Sequence, residues 1–313
     1  MKQNVFVVST GFHYYFSTLL IDYLGLQQVA YVMFEPREGI ERPAAEKYPV
    51  FCVGAGDRAA RFGKKPGKWW LARRAFAQLD LADRDVVLYS PSYNDSLVYA
   101  LRARIERRCA SFEYNLIPDG AAMLRPIPGK ANGDRLPAWI NRLLRRVEPA
   151  DMRHKHGTYS PFIKNVYHFA ANKIYTNDEK VVIVPVRRSD QAPSDKILVL
   201  GGLYGISREF VLAAKEKSAG HPVTFRMHPK NRNGAEFIVA EAPEWVELKL
   251  EGGLEEHLLD HPYHAVMGYY SSSVVFNHLF VSNSRSEFIV ERVRDDSDYH
   301  ATADACGIPV TLV

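Results

Sequence analysis

The chain has 313 residues, of which 47% are hydrophobic and 24% are charged, the balance of an ordinary soluble globular protein. This composition excludes a disordered chain, a fibre and a coiled-coil rod. The apolar runs fall short of the roughly 18–20 residues that span a bilayer, and the first residues lack a signal-peptide core. Cys52, Cys109 and Cys306 are widely spaced and odd in number, so we expect a cytoplasmic protein without disulfides or structural zinc.

The formal net charge is +4, too small to indicate a nucleic-acid partner, and we predict none. The cations are unevenly distributed: residues 61–74 carry Lys and Arg without an acid, and residues 135–155 place several cations around Trp139. Basic residues beside tryptophan are typical of segments that lie on anionic membranes. We therefore expect residues 135–155 to contact such a surface peripherally, the alternative being a solvated helix face.

Strand and helix patterns alternate through the first half of the chain, which predicts a parallel sheet covered on both faces. A loop and a short amphipathic helix over 125–149 interrupt the alternation. The predicted strands are 4–8, 28–34, 48–54, 84–91, 109–120, 173–177 and 181–186, and the predicted helices are 9–25, about 69–79 and 95–108.

A polar segment, 187–196, reads as a linker, and a second alternation follows it. Its predicted strands are 196–202, 221–229, 264–270 and 287–293, and its predicted helices are 207–220, 253–262 and 271–280. Two domains, 1–187 and 188–313, are therefore expected, with the extreme C-terminus packing back on the first. The fold class this predicts is α/β and GT-B-like: two Rossmann-like domains facing each other across a cleft, with ligands at the carboxyl ends of the strands.

Two predicted strand ends carry titratable residues. Asp119 follows Pro118 and precedes Gly120, which indicates either a simple turn or a carboxylate that acts as a general base. His228 ends the strand that contains Arg226 and stands before Pro229 and Lys230. Such a histidine is either structural or a donor to a phosphate.

Two further strand ends suit a phosphate. Ser271, Ser272 and Ser273 open a predicted helix, where they could cap the helix or bind an anion with its free N–H groups. Gly201, Gly202, Tyr204 and Gly205 follow the first strand of the second half, where glycine lets the backbone approach a ligand.

Several cofactor classes are not indicated. Residues 54–59 fit the GxGxxA pattern, but they follow the third predicted strand rather than the first, and a lone match is weak. The histidines lack metal-site spacing, and neither a P-loop nor a GxSxG elbow is present. We expect no cofactor and no metal.

Asp119-Gly120, then His228-Pro229, then Ser271–Ser273, each at a strand end, resemble the ordered motifs of the bacterial sialyltransferases of lipooligosaccharide and capsule, polysialyltransferases included. Pro118 stands where that family has the first of two acids. The resemblance implies an inverting, metal-independent glycosyltransferase that moves a nonulosonic acid of sialic type from its CMP-activated donor to a glycan or glycolipid hydroxyl. It assigns Asp119 as the base and His228 as the phosphate donor or general acid.

Three alternatives stay open. Tyr270-Ser271-Ser272 with a His-Pro pair also resembles CDP-glycerol and other polyol-phosphate transferases. Nucleotide-sugar 2-epimerases share the two-half architecture. A non-catalytic protein that binds glycans or nucleic acid through the basic segments is the third.

Overall fold

A computed structural model describes residues 2–34, 47–53, 66–91, 96–118, 163–169, 180–202, 206–228, 231–250, 253–292, 300, 303–304 and 306–313. Within these ranges the chain divides into two compact units, and the boundary falls between Pro185 and Val186. The segment 135–155 and the strand predicted at 173–177 lie outside the described residues.

The first unit is a parallel sheet with the strand order β3-β2-β1-β4-β5-β6-β7. Its strands are β1 (Gln3–Val8), β2 (Val29–Phe34), β3 (Val50–Val53), β4 (Asp85–Ser90), β5 (Ser111–Leu116), β6 (Ile163–His168) and β7 (Val181–Ile183). Its helices are α1 (Gly11–Leu24), α2 (Pro66–Leu79) and α3 (Ser96–Arg108). β6 was not predicted from the sequence.

Helix α1 shows how local sequence sets these boundaries. The Thr10 side chain accepts a hydrogen bond from the His13 N–H and caps the start, and Gly25 ends the helix in the left-handed region with φ of 60°. The central strands are buried on both faces, which is why they read as continuous apolar runs in the sequence.

The second unit is a parallel sheet with the strand order β10-β9-β8-β11-β12-β13. Its strands are β8 (Ile197–Leu200), β9 (Val223–Arg226), β10 (Val246–Glu247), β11 (Ala265–Gly268), β12 (Arg285–Val290) and β13 (Val310–Leu312). Its helices are α4 (Arg208–Lys217), α5 (Arg232–Glu241), α6 (Leu254–Asp260) and α7 (Ser272–Phe280). At the extreme C-terminus, Val310–Leu312 form β13, which pairs with β12 at the edge of this sheet. The expectation that this end also packs on the first domain stays a prediction.

In each sheet, the direction in which successive strands are added reverses once. The chain moves outward from β1 to β3 and then returns to place β4 on the other side of β1, and it repeats this pattern with β8, β10 and β11. Such a reversal leaves a crevice at the carboxyl ends of the two central strands, where open α/β sheets bind ligands. The predicted architecture of two Rossmann-like α/β domains with parallel sheets is confirmed.

Candidate functional site

Three neighbouring strands of the second sheet end at one edge. The Gly201 N–H donates to the Arg226 carbonyl at 2.9 Å, and the Tyr269 N–H donates to the Leu200 carbonyl at 3.2 Å. The ends of β9, β8 and β11 are therefore in contact through their backbones. This edge brings together the predicted residues Gly201, Gly202, Arg226, His228 and Ser271–Ser273.

Glycines make close packing possible here. A methyl group on Gly268 would collide with the Leu200 carbonyl oxygen, so β11 can lie this close to β8 only without a side chain at that position. A Cβ on Gly202 would sit 3.1 Å from the Tyr269 ring, and one on Gly201 would collide with the Met227 side chain. These glycines are needed for space at the reversal point of the sheet.

Asn231 joins two loops of the edge. Its Oδ1 accepts from the Gly234 N–H at 3.1 Å and caps α5, while its Nδ2 donates to the Gly202 carbonyl at 3.2 Å. Its own N–H donates to the His228 carbonyl at 2.8 Å. The half-buried His228 is thus held between β9 and a capped helix. Sequence analysis missed Asn231, although an Asn before a helical run is a known start signal.

The serine run divides into two kinds of residue. Ser271 is the N-cap of α7, and its Oγ accepts from the Ser273 N–H at 3.2 Å. Ser273 is only 6% exposed, and its hydroxyl donates to Oε1 of the buried Glu255 at 2.7 Å. Ser271 and Ser272 are half-buried. The Ser273 hydroxyl is therefore committed to an internal contact between α7 and α6.

Glu255 also acts on the cation of the edge. Burial lowers the pKa of Arg226, and the nearby carboxylates of Glu255 and Glu247 offset part of that effect. The Arg226 guanidinium remains a cation in a half-buried position. Together with the N-terminus of α7, it makes this edge favourable for an anion such as a phosphate. Sequence analysis missed Glu255, because its partner Ser273 lies on a different helix.

A second polar pair lies behind Arg226. The His257 Nε2 is 3.1 Å from the Tyr263 hydroxyl. Burial lowers the pKa of His257, and the neighbouring His261 and Arg226 lower it further. Burial also raises the pKa of Tyr263. The neutral forms of both side chains are therefore favoured beside the arginine.

The first sheet has its own carboxyl edge. Ile117 donates its N–H to the Ser90 carbonyl at 3.0 Å, and the buried Pro118 follows it. At the end of β1, the Ser9 N–H donates to the Nδ1 of the buried His13 at 3.2 Å, a residue that sequence analysis missed. The remaining predicted site residues lie outside the described residues: Asp119, Gly120, Tyr204, Gly205, Pro229 and Lys230.

Three further observations concern cavities, metal ligands and membrane-spanning helices. A cavity of about 660 Å³ is lined by Asp22, Gln28, Lys47 and Tyr48, but it lies at the amino edge of the first sheet, where parallel sheets seldom bind ligands. In the described ranges no group of three or more His, Cys, Asp or Glu side chains is placed to hold a metal ion. No helix in those ranges is both long and apolar enough to cross a bilayer.

No protein-family model matches the chain, and no curated protein matches it in sequence. Solved structures do resemble it in fold. The GT-B domain of a sialyltransferase from Photobacterium damselae aligns over 100% of both chains with a TM-score of 0.60 and 11% identity. A UDP-GlcNAc 2-epimerase from Methanocaldococcus jannaschii, in complex with UDP-GlcNAc and UDP, aligns over 100% of this chain and 89% of its own with a TM-score of 0.54 and 11% identity. A spinosyn rhamnosyltransferase complexed with thymidine diphosphate gives a TM-score of 0.51 and 14% identity, over 99% of this chain and 86% of its own. The chain therefore has the GT-B-like fold that these glycosyltransferases and this epimerase share.

Proposed function

We propose that the protein is an inverting, metal-independent glycosyltransferase that moves a nonulosonic acid of sialic type from its CMP-activated donor to a hydroxyl of a bacterial lipooligosaccharide or capsule, at the cytoplasmic face of the membrane. The observation that carries the proposal is the anion-favouring edge of the second sheet, where Arg226, His228 and the Ser271-capped helix lie together. The order of the sequence motifs and the fold likeness to a sialyltransferase support it.

The residues of this edge bind the CMP-activated donor and stabilise the departing CMP. CMP leaves as the bond between its phosphate oxygen and the sugar breaks. The phosphate charge is offset by Arg226, by the positive end of the α7 helix dipole and by the Ser271 and Ser272 hydroxyls. His228 donates a proton or hydrogen bond to that phosphate. Gly201 and Gly202 leave the backbone of the β8 loop open to the nucleotide.

Asp119 acts on the acceptor as the general base. The acceptor hydroxyl oxygen attacks the anomeric carbon while the carbon–oxygen bond to CMP breaks, and the Asp119 carboxylate takes the hydroxyl proton. A single displacement of this kind inverts the configuration at the anomeric carbon. Pro118 stands where the resembling family has another acid, so Asp119 is the carboxylate assigned to this step.

A CMP-release assay with CMP-sialic acid and a lipooligosaccharide acceptor tests both roles. Asp119→Ala and His228→Ala should each lower the rate about 10²–10⁴-fold, the contribution of a general acid or base. His221→Ala is the matched control, because His221-Pro222 is the same dipeptide at the opposite end of β9. Near-normal turnover in a folded Asp119 or His228 variant would remove that residue from the mechanism.

A second candidate function is a nucleotide-sugar 2-epimerase. The fold likeness to the Methanocaldococcus jannaschii structure supports this alternative. Thermal melting with CMP, CDP and UDP separates the candidates, because a ligand that binds only the folded state raises its stability. We expect the largest stabilisation with CMP. Preference for UDP, with sugar conversion in the absence of an acceptor, would indicate an epimerase, and preference for CDP with consumption of CDP-glycerol would indicate a polyol-phosphate transferase.

A further inference from the structure

A buried carboxylate lies beside the features that make the carboxyl edge of the second sheet favourable for an anion. Glu255, in the first turn of α6, is 3% exposed, and its Oε1 accepts a hydrogen bond from the Ser273 hydroxyl at 2.7 Å. Ser273 lies in the first turn of α7, two residues after the N-cap Ser271. The Glu255 carboxylate is therefore close to the positive end of the α7 dipole.

Glu255 also offsets the charge of Arg226. Burial lowers the pKa of Arg226, and Glu255 is the carboxylate that most opposes this effect, ahead of the exposed Glu247. Opposite charges that are close together favour the ionised form of each group, and a helix N-terminus favours a carboxylate. One buried negative charge thus acts on both positive features of the edge, Arg226 and the start of α7.

The phosphate groups of the candidate ligands differ in charge. The phosphodiester of a CMP-activated sugar carries one negative charge, free CMP carries about two at pH 8, and a nucleoside diphosphate carries more. A buried carboxylate repels each additional charge, and water and salt screen this repulsion less than at the surface. The carboxylate therefore favours the ligand whose phosphate has the smallest charge.

We propose that Glu255 makes this edge selective for a singly charged phosphate diester over phosphate monoesters and diphosphates. This rests on the proposed function, which puts a nucleotide phosphate at the edge. In the transfer step, the electron pair of the breaking bond stays on the phosphate oxygen, and a proton from His228 keeps CMP at one charge. Once that proton is lost to water, Glu255 repels the second charge and CMP leaves more readily.

Isothermal titration calorimetry with two cytidine ligands tests the proposal. At about pH 8, the methyl ester of CMP carries one phosphate charge and CMP carries about two. The unaltered chain should bind the methyl ester more tightly than CMP. Glu255→Gln, whose amide oxygen can still accept from Ser273, should shift the ratio of the two affinities about tenfold toward CMP. Tighter binding of CMP by the unaltered chain would overturn the proposal without any variant.

Glu256→Gln is the matched control, because it removes the same charge from an exposed position of the same helix. It should leave the affinity ratio unchanged. Ser273→Ala removes the hydrogen bond but keeps the Glu255 charge, so it should lower the melting temperature and retain the preference for the methyl ester. An unchanged ratio in folded Glu255→Gln, or an equal change in Glu256→Gln, would contradict a role for the Glu255 charge.

UMP and its methyl ester separate this proposal from the proposed function. If the uridine ligands bind more tightly than the cytidine ligands and show the same charge preference, the CMP donor is wrong and the charge selectivity stands. If cytidine is preferred but the ratio does not respond to Glu255→Gln, the charge selectivity is wrong and the donor stands. Absence of binding by all four ligands would overturn both.

Discussion

The two sheets share a topology but fill their interiors differently. In the first sheet, Tyr31, Phe6 and Tyr89 stand side by side on β2, β1 and β4, and the rings of Phe6 and Tyr89 are stacked with centroids 4.4 Å apart. In the second sheet, the corresponding row on β9, β8 and β11 is Phe225, Val199 and Met267, which has one aromatic ring instead of three.

Both units satisfy polar groups in their interiors, and in the second unit the buried Asn277 donates to Ser286 Oγ at 2.9 Å. In the first unit many are satisfied within the interior: Ser90 with Tyr114 at 2.6 Å, Ser17 with Tyr31 at 3.2 Å, and Asn165 with Asn115 at 3.1 Å. In the second unit, Asn231, Ser271 and Glu255 organise the carboxyl edge. The centre of the first sheet is therefore a row of three aromatic rings, whereas the reversal point of the second sheet requires close backbone contact between β8 and β11.

The largest expected effect is the loss of the aromatic row. Phe6→Ala should lower the free energy of unfolding by about 3–5 kcal/mol, because a fully buried ring is removed and a cavity remains. Hydrogen exchange measured by mass spectrometry should show faster exchange in β1, β2 and β4 and little change in β8 and β11. Equal acceleration in both sheets would contradict the separation of the two interiors. Phe6→Leu, which fills part of the space, should have a smaller effect.

The complementary change lies in the second sheet. Gly268→Ala should lower the free energy of unfolding by about 1–3 kcal/mol, because the added methyl group forces β11 away from the Leu200 backbone. Gly202→Ala is the matched control, since its methyl group would meet only the Tyr269 side chain at 3.1 Å. Urea unfolding should rank Gly268→Ala as the more damaging change. The reverse order would show that the strands can separate at little cost.

The smallest expected effect is a pH dependence in the second unit. Burial holds the pKa of His257 below its ordinary value, so the unfolded chain takes up this proton first as the pH falls. The associated stability is fully present above about pH 6.5 and is lost as the pH falls through the folded-state pKa. In urea unfolding at about pH 7.5 and about pH 5.5, His257→Gln should lose less stability than the unaltered chain. His278→Gln, at an exposed position of α7, should not reduce the loss; a reduction equal to that of His257→Gln would contradict the assignment.

The parts of the fold that were predictable are those in which burial determines the sequence pattern. β1, β2, β4, β8 and β11 are buried on both faces and appear as short apolar runs, and each was predicted within a few residues of its observed position. β6 was missed because Lys164 and Asn165 interrupt its apolar pattern. Those side chains bind Glu113 at 2.7 Å and Asn115 at 3.1 Å, contacts that exist only once the sheet has formed.

Helix α5 and part of the site were missed for related reasons. Gly234, in the first turn of α5, reads as a helix breaker, but a Cβ there would collide with Met227. β10 and β13, with two and three residues, are too short to give a periodic signal. The strand ends that carry Arg226, His228 and the serines were predictable from apolar runs followed by polar residues. The contact between Glu255 and Ser273 joins two helices and has no local sequence pattern.

Asn231 restricts which amino acids its position can accept. Asp, Ser and Thr are also good N-caps, but a carboxylate has no N–H group and a hydroxyl lacks the second arm of an amide. Only an amide of this length can cap α5 and hold the Gly202 carbonyl at the same time. A designer who wishes to re-engineer ligand preference along this edge should therefore leave position 231 fixed and vary the loops on either side of it.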